Sequence, residues 1–167
     1  YNFTSGTANA YGGAAFRVGA AFGSSASSAS TSVNGLSFKN ITFYQNYTRA
    51  DSADGGAISF VQNLTGTHQT ATITNCIFDG NTAGDYVTPT VANNVNGGAV
   101  VLKDGNDVII TNSLFYDNRS MGYGGAITAG EYNGGGFPNL TINNSLLYRN
   151  RYHNTNSSNC LLYTSPS

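Results

Sequence analysis

Short apolar runs rich in Ile, Val, Phe and Thr, each bounded by Gly or Asn, recur along most of this chain. Runs of roughly four to six residues leave no room for a helical period and fit β-strands. In one register four segments coincide: Phe38–Asn46, Ile73–Asn81, Ile110–Asn118 and Ile142–Asn150. Their shared pattern is an apolar residue, any residue, Asn, two variable residues, Phe or Leu, two more, and Asn. From Phe38 to Ile73, Ile110 and Ile142 the spacings are 35, 37 and 32 residues. A second element alternates with the first: Gly55-Gly56-Ala57-Ile58, Gly97-Gly98-Ala99-Val100 and Gly124-Gly125-Ala126-Ile127, with a weaker version at Gly12-Gly13-Ala14-Ala15. Self-similarity at this period is the signature of a solenoid, in which each repeat buries its apolar face only by stacking on its neighbours.

The pattern predicts an all-β fold, a right-handed parallel β-helix of about four coils. Stacked coils rise about 4.8 Å each, so four span roughly 19 Å. Ile73, Ile110 and Ile142, with Phe43, Phe78, Phe115 and Leu147, are expected to line the dry interior, joined from another wall by Ile58, Val100 and Ile127. Arg17, in an expected apolar stretch, makes the first coil fit poorly. The paired glycines suit backbone angles closed to other residues and close approach between coils. Two asparagine columns, Asn40/Asn75/Asn112/Asn144 and Asn46/Asn81/Asn118/Asn150, are predicted ladders at strand corners, because Asn tolerates left-handed turn geometry and its amide bonds its equivalent one coil away. Residues 82–96 and the Ser-rich stretch 24–32 are expected to loop out.

The Gly-Gly-Ala-Ile/Val elements and Phe43 to Asn46, Phe78 to Asn81 and Phe115 to Asn118 resemble the passenger repeats of the chlamydial polymorphic outer-membrane proteins, marked by GGA followed by Ile, Leu or Val and by Phe-x-x-Asn. The last coil departs by carrying Leu147. This resemblance covers about residues 36 to 150 and implies a parallel β-helix exposed at a cell surface, in a family associated with adhesion.

Composition narrows the partners. Only 9% of residues are charged, and the seven Lys and Arg are scattered singly against eight acids, so no phosphate-neutralising stripe points to nucleic acid. No apolar run approaches the roughly 18 residues of a membrane span. The chain opens on Tyr1 and reads as part of something longer. Residues 160–167 resemble the translated read-through of a sequencing-library adapter and are set apart from the single β-helix unit of residues 1–159; Cys76 is then the one cysteine to reason from, and no disulfide framework follows. Asn followed one residue later by Ser or Thr occurs at Asn2, Asn40, Asn46, Asn63, Asn118, Asn139, Asn143 and Asn156, which makes a secreted N-glycoprotein the expectation.

Candidate chemistry is sparse. Glycoside hydrolysis needs two carboxylates at a defined separation, and Asp79 and Asp117, in neighbouring columns of adjacent coils, are the pair to consider. Asp117 also shares a column with Arg149, which suggests a surface ion pair. Asp104-Gly105-Asn106-Asp107 reads as a turn, and His68 and His153 have no metal-ligand spacing around them, so no metal or other cofactor is expected. Tyr44, Tyr116 and Tyr148 share a column, broken by Asp79, and form a candidate aromatic binding stripe. The favoured expectation is a non-enzymatic extracellular structural module of a fibre, stalk or coat that self-associates or meets neighbouring repeat modules through its ends. The alternatives are a cell-surface adhesin passenger that binds glycans and, behind it, a polysaccharide lyase or hydrolase.

Overall fold

A computed structural model describes residues 3–5, 15–18, 34–49, 54–60, 69–84, 95–103, 105–130 and 137–153. Seventeen strands follow one another in chain order. They are β1 (Phe3–Ser5), β2 (Phe16–Val18), β3 (Leu36–Lys39), β4 (Thr42–Tyr44), β5 (Tyr47–Arg49), β6 (Ile58–Phe60), β7 (Gln69–Thr74), β8 (Ile77–Asp79), β9 (Thr82–Ala83), β10 (Val100–Leu102), β11 (Asn106–Thr111), β12 (Leu114–Tyr116), β13 (Arg119–Ser120), β14 (Ile127–Ala129), β15 (Asn139–Asn143), β16 (Leu146–Tyr148) and β17 (Arg151–Tyr152). Each strand pairs in parallel with the strand four places on, giving sheets ordered β2-β6-β10-β14, β3-β7-β11-β15, β4-β8-β12-β16 and β1-β5-β9-β13-β17. Every four strands therefore complete one coil. The chain is a parallel β-helix of four coils, with β1 pairing onto β5 ahead of the first.

Registers follow the repeat. Phe43 faces Phe78, Phe78 faces Phe115 and Phe115 faces Leu147; Ile73 lies between Phe38 and Ile110. The first three rings stack nearly parallel, with centroids 4.6 and 4.5 Å apart. That is one coil rise, so the aromatic column and the backbone hydrogen bonds share a spacing and neither is strained by the other. Ile58, Val100 and Ile127 close the interior from the β6-β10-β14 wall.

The first coil departs from the expected register by one residue. Phe16, not Ala15, pairs with Ile58, and Ala15 donates to the Ala57 carbonyl as Ala57 does to Ala99. Side chains alternate along a strand, so this slip turns Phe16 and Val18 inward and sends Arg17 to the outer face opposite Ser59. Arg17 is thereby kept out of the apolar interior, on a wall whose outer side is also covered; Gly12 and Gly13 lie outside the described residues. Residues 82–84 and 95–96 do not loop out as expected, and residues 85–94 lie outside the described residues. Thr82, Ala83 and Gly84 belong to the coil wall, and Val95 and Asn96 rejoin it, buried, before the glycine pair.

The two glycines of each pair have different tasks. Gly55, Gly97 and Gly124 have φ near +60°, where any Cβ would strike a carbonyl three residues on. Gly56 and Gly98 have ordinary angles, but a Cβ there would sit 2.1 and 2.0 Å from the backbone oxygen of the next coil's glycine.

The two asparagine columns also divide their labour. Asn40, Asn75, Asn112 and Asn144 are exposed and all adopt positive φ, between 45° and 57°, with one side-chain bond between Asn75 and Asn40 at 3.3 Å. They turn the chain. Asn46, Asn81 and Asn118 are buried; each donates its backbone N–H and one Nδ2 hydrogen to the Oδ1 of the next, ending on Asn150, at 2.8–3.0 Å. The second Nδ2 hydrogen of Asn81, Asn118 and Asn150 goes to the carbonyl of Phe43, Phe78 and Phe115. The left-handed residue at this corner is the one before: Gln45, Gly80, Asp117 and Arg149. Asn75→Gly is therefore expected to leave stability within a few tenths of a kcal/mol, whereas Asn75→Ala, a Cβ residue without local hydrogen bonding, loses about 1–2 kcal/mol. Equal denaturation midpoints for the two variants would contradict the turn role.

Candidate functional site

Because Phe43, Phe78, Phe115 and Leu147 point inward, their neighbours along β4, β8, β12 and β16 point out. Tyr44, Asp79, Tyr116 and Tyr148 form one outward column and Thr42, Ile77, Leu114 and Leu146 the next. Tyr44 and Tyr148 are 52% and 45% exposed, and Ile77 and Leu146 also reach solvent, so this wall carries an aliphatic and aromatic face. Within it Tyr116 and Tyr148 stack at 5.9 Å, and the Arg149 guanidinium lies 5.8 Å from the Tyr116 ring centroid. Ring faces that would otherwise be offered to a sugar are thus partly engaged inside the stripe. Asp79 separates Tyr44 from the pair above it.

The expected Asp117–Arg149 ion pair is not what forms. Asp117 lies 3.6 Å from Arg119, two residues along its own chain, while Arg149 turns to the tyrosine. Both acid and base sit at the same left-handed corner, φ 49° and 57°, and each finds its partner elsewhere. Asp79 and Asp117 are both half-buried.

The glycosylation motifs fall into two groups. Asn40, Asn139 and Asn143 are exposed, on or just after β3 and β15. Asn46 and Asn118 are buried in the ladder, their amide nitrogens already donating, and the hydroxyl residues of their motifs, Thr48 and Ser120, are fully buried too. Sugar attachment in the folded coil is closed at these two positions. Asn2, Asn63 and Asn156 lie outside the described residues, as do His68, Asp104, the Ser-rich stretch and residues 160–167. His153 is exposed and its backbone N–H continues the ladder to Ser120.

What the repeat pattern did not indicate is an ionic centre on the outer side of the β2-β6-β10-β14 wall. Asp54 immediately precedes the first full glycine pair, Asn96 the second, and the two are bridged in parallel. Asn96 Nδ2 donates to Asp54 Oδ1 at 3.1 Å, and Lys103 Nζ, just past β10, lies 2.5 Å from Asp54 Oδ2. The Asp54 side chain is 1% exposed and that of Lys103 11%. Burial raises the Asp54 carboxyl above the usual carboxylate range, while Lys103, Asn96 and the charge of Arg17 pull it back. Burial likewise lowers the Arg17 guanidinium, opposed by Asp54. Ser59 and Val101, the outward residues of β6 and β10, are also fully buried, so this wall is covered on both faces. The available signal was chemical: in a chain this poor in charge, an acid and a base flank apolar strands of successive coils.

Among the described residues no three His, Cys, Asp or Glu gather as metal ligands, and no helix is long and apolar enough to cross a membrane. Cys76 is a buried free thiol in the column of Ser113 and Ser145, whose hydroxyls accept the backbone N–H of the preceding coil. Comparison of the chain with protein-family models, with curated proteins and with solved structures finds no match.

Proposed function

We propose that this chain is a non-catalytic structural segment of an extracellular fibre, stalk or coat, continued beyond its fourth coil by a further β-helical coil and N-glycosylated on its outer wall. The observation that carries the reading is the state of coil four. Leu140, Ile142 and Leu147 are only partly buried, whereas Val108, Ile110 and Phe115 one coil earlier are 1% exposed or less. Strands β14 to β17 each pair on one edge alone among the described residues. An apolar interior that runs up to an unpaired edge calls for a further layer, because open edges and open cores both favour association. The inner ladder is polar in the same sense. Its donors point coil by coil towards Asn150, and the acceptor found by Asn46, Asn81 and Asn118 one coil on has no counterpart beyond Asn150 among the described residues. Whether that layer comes from the same polypeptide or a neighbouring copy, the product is a longer solenoid.

Attachment of sugar is assigned to Asn40, Asn139 and Asn143, the exposed motifs on the β3-β7-β11-β15 wall. Electron cryomicroscopy of the native material checks both parts. The expected map shows a continuous coil repeat of about 4.8 Å running past Asn150, with extra density beside these three asparagines. Separate particles that end at coil four with bare asparagines overturn the proposal. The second reading, an adhesin passenger binding glycans, draws on the exposed Tyr44, Tyr148, Ile77 and Leu146. It is favoured if an immobilised glycan panel retains the wild-type chain and releases a Tyr148→Ala variant.

A further inference from the structure

We propose that Lys103 and Asn96 join in an intramolecular isopeptide bond, with Asp54 carrying the proton from one nitrogen to the other. The inference is independent of the fibre reading and concerns a covalent modification of this chain by its own side chains.

Three groups are needed to turn a lysine and an asparagine into an amide: an amine that has lost its proton, a carboxamide carbon within its reach, and an acid able to protonate the departing nitrogen. One carboxyl group here touches both nitrogens. Its Oδ2 meets Lys103 Nζ at 2.5 Å and its Oδ1 receives the Asn96 Nδ2 hydrogen at 3.1 Å. The leaving nitrogen of Asn96 is therefore the very atom in contact with the acid. Asp54 is fully buried, Asn96 is 2% exposed and Lys103 nearly buried, so water competes little for any of the three.

Burial also makes the chemistry accessible. Burial favours the neutral, proton-carrying form of a carboxyl group. The upward displacement of the Asp54 carboxyl acts in this direction. Lys103 Nζ then attacks Cγ of Asn96 and the new Nζ–Cγ bond forms. The Cγ–Nδ2 bond breaks; the proton given up by Nζ passes through the Asp54 carboxyl to Nδ2, which departs as ammonia. No oxidant or reductant enters, and Asp54 is returned unchanged. Holding amine, carboxamide and acid together replaces an intermolecular encounter by a step whose effective concentration reaches roughly 10⁵ M or more in well-oriented cases. A bond from Lys103 to Asp54 itself would consume the proton carrier, which is why Asn96 is assigned as the acceptor.

The product would close a ring around Gly97, Gly98 and β10, locking a corner at which successive coils approach closely. The test is the intact mass of the full chain after complete unfolding, followed by peptide mapping. The expected mass is lower than the sequence mass by one ammonia, trypsin does not cut after Lys103, and a branched peptide joins the Asn96 and Lys103 segments. Lys103→Arg, which keeps the buried positive charge and hence the fold, restores the full mass less nothing. The proposal is overturned by a wild-type chain of full sequence mass. It is equally overturned by loss of water with an amide on Asp54, or by a succinimide at Asn96-Gly97 with Lys103 still open to trypsin.

Discussion

Gly98→Ala is expected to prevent the chain from folding to its native coil stack, at a cost on the order of 5 kcal/mol, comparable with the whole stability of a typical domain. The added Cβ would lie 2.0 Å from the Gly125 carbonyl oxygen and 2.7 Å from the backbone N and C of Arg119. All three are main-chain atoms of the same or the next coil. Nothing there can rotate away, so relief requires the coils to separate, and the hydrogen bond from Gly98 N–H to the Gly124 carbonyl would go with them. Gly35→Ala is the control. Its φ is +73° but its Cβ would meet nothing within 4 Å, so only the backbone penalty of about 1 kcal/mol remains. Circular dichroism melts of the two variants beside wild type decide the matter; similar melting temperatures for Gly98→Ala and Gly35→Ala would show that coil contact at Gly98 is not as close as described.

Asn118→Ala should be nearly as damaging, at about 5 kcal/mol by the sum of its orphaned partners at roughly 1–3 kcal/mol each. Its Oδ1 accepts from both the backbone N–H and Nδ2 of Asn81, and its Nδ2 donates to Asn150 Oδ1 and the Phe78 carbonyl. Asn81 is fully buried, so the donors it loses cannot turn to water. Asn75→Ala, in the exposed column, removes one side-chain bond of 3.3 Å and is expected to cost much less. Urea titration separates the two cases, provided the fluorescence of the tyrosines and amide exchange report one transition rather than coil-by-coil loss. A cost for Asn118→Ala below about 2 kcal/mol would mean that the ladder contributes little beyond what solvated turns contribute.

Much of the architecture was legible before any coordinates. The Phe-x-x-Asn and Gly-Gly-Ala segments recur at nearly constant spacing, and in a parallel stack identical residues at identical offsets must lie over one another. Phe43, Phe78 and Phe115 are the plainest instance. The β1-β5-β9-β13-β17 wall was not legible, because strands such as Thr82–Ala83 and Arg119–Ser120 are two residues long and share no side-chain type. Only their main-chain hydrogen bonds define them, and those depend on coils already placed by the other walls. The register of Arg17 escaped for a related reason. A weak glycine match set it one residue out, and in β-structure one residue exchanges inside for outside.

Of the candidate functional residues, Tyr44, Tyr116, Tyr148, Asn139 and Asn143 stand on outward strand positions, whereas Asn40 reaches solvent at a left-handed corner just after β3. That Asp54 lies beside Asn96 follows from their shared place before the glycine pair, but that Lys103 meets them out of water does not, since it depends on what covers that wall.

The amino-acid sequence by itself determined the fold class, the number of coils and the residues that stack inside them, because period-two alternation and a repeated offset leave one way to bury the apolar columns. Only the tertiary structure decided which asparagines turn the chain and which are sealed in a ladder, and that an acid, an amide and a lysine meet out of water. Burial depends on what covers a wall and on distances between coils, and neither is a property of any one segment of chain.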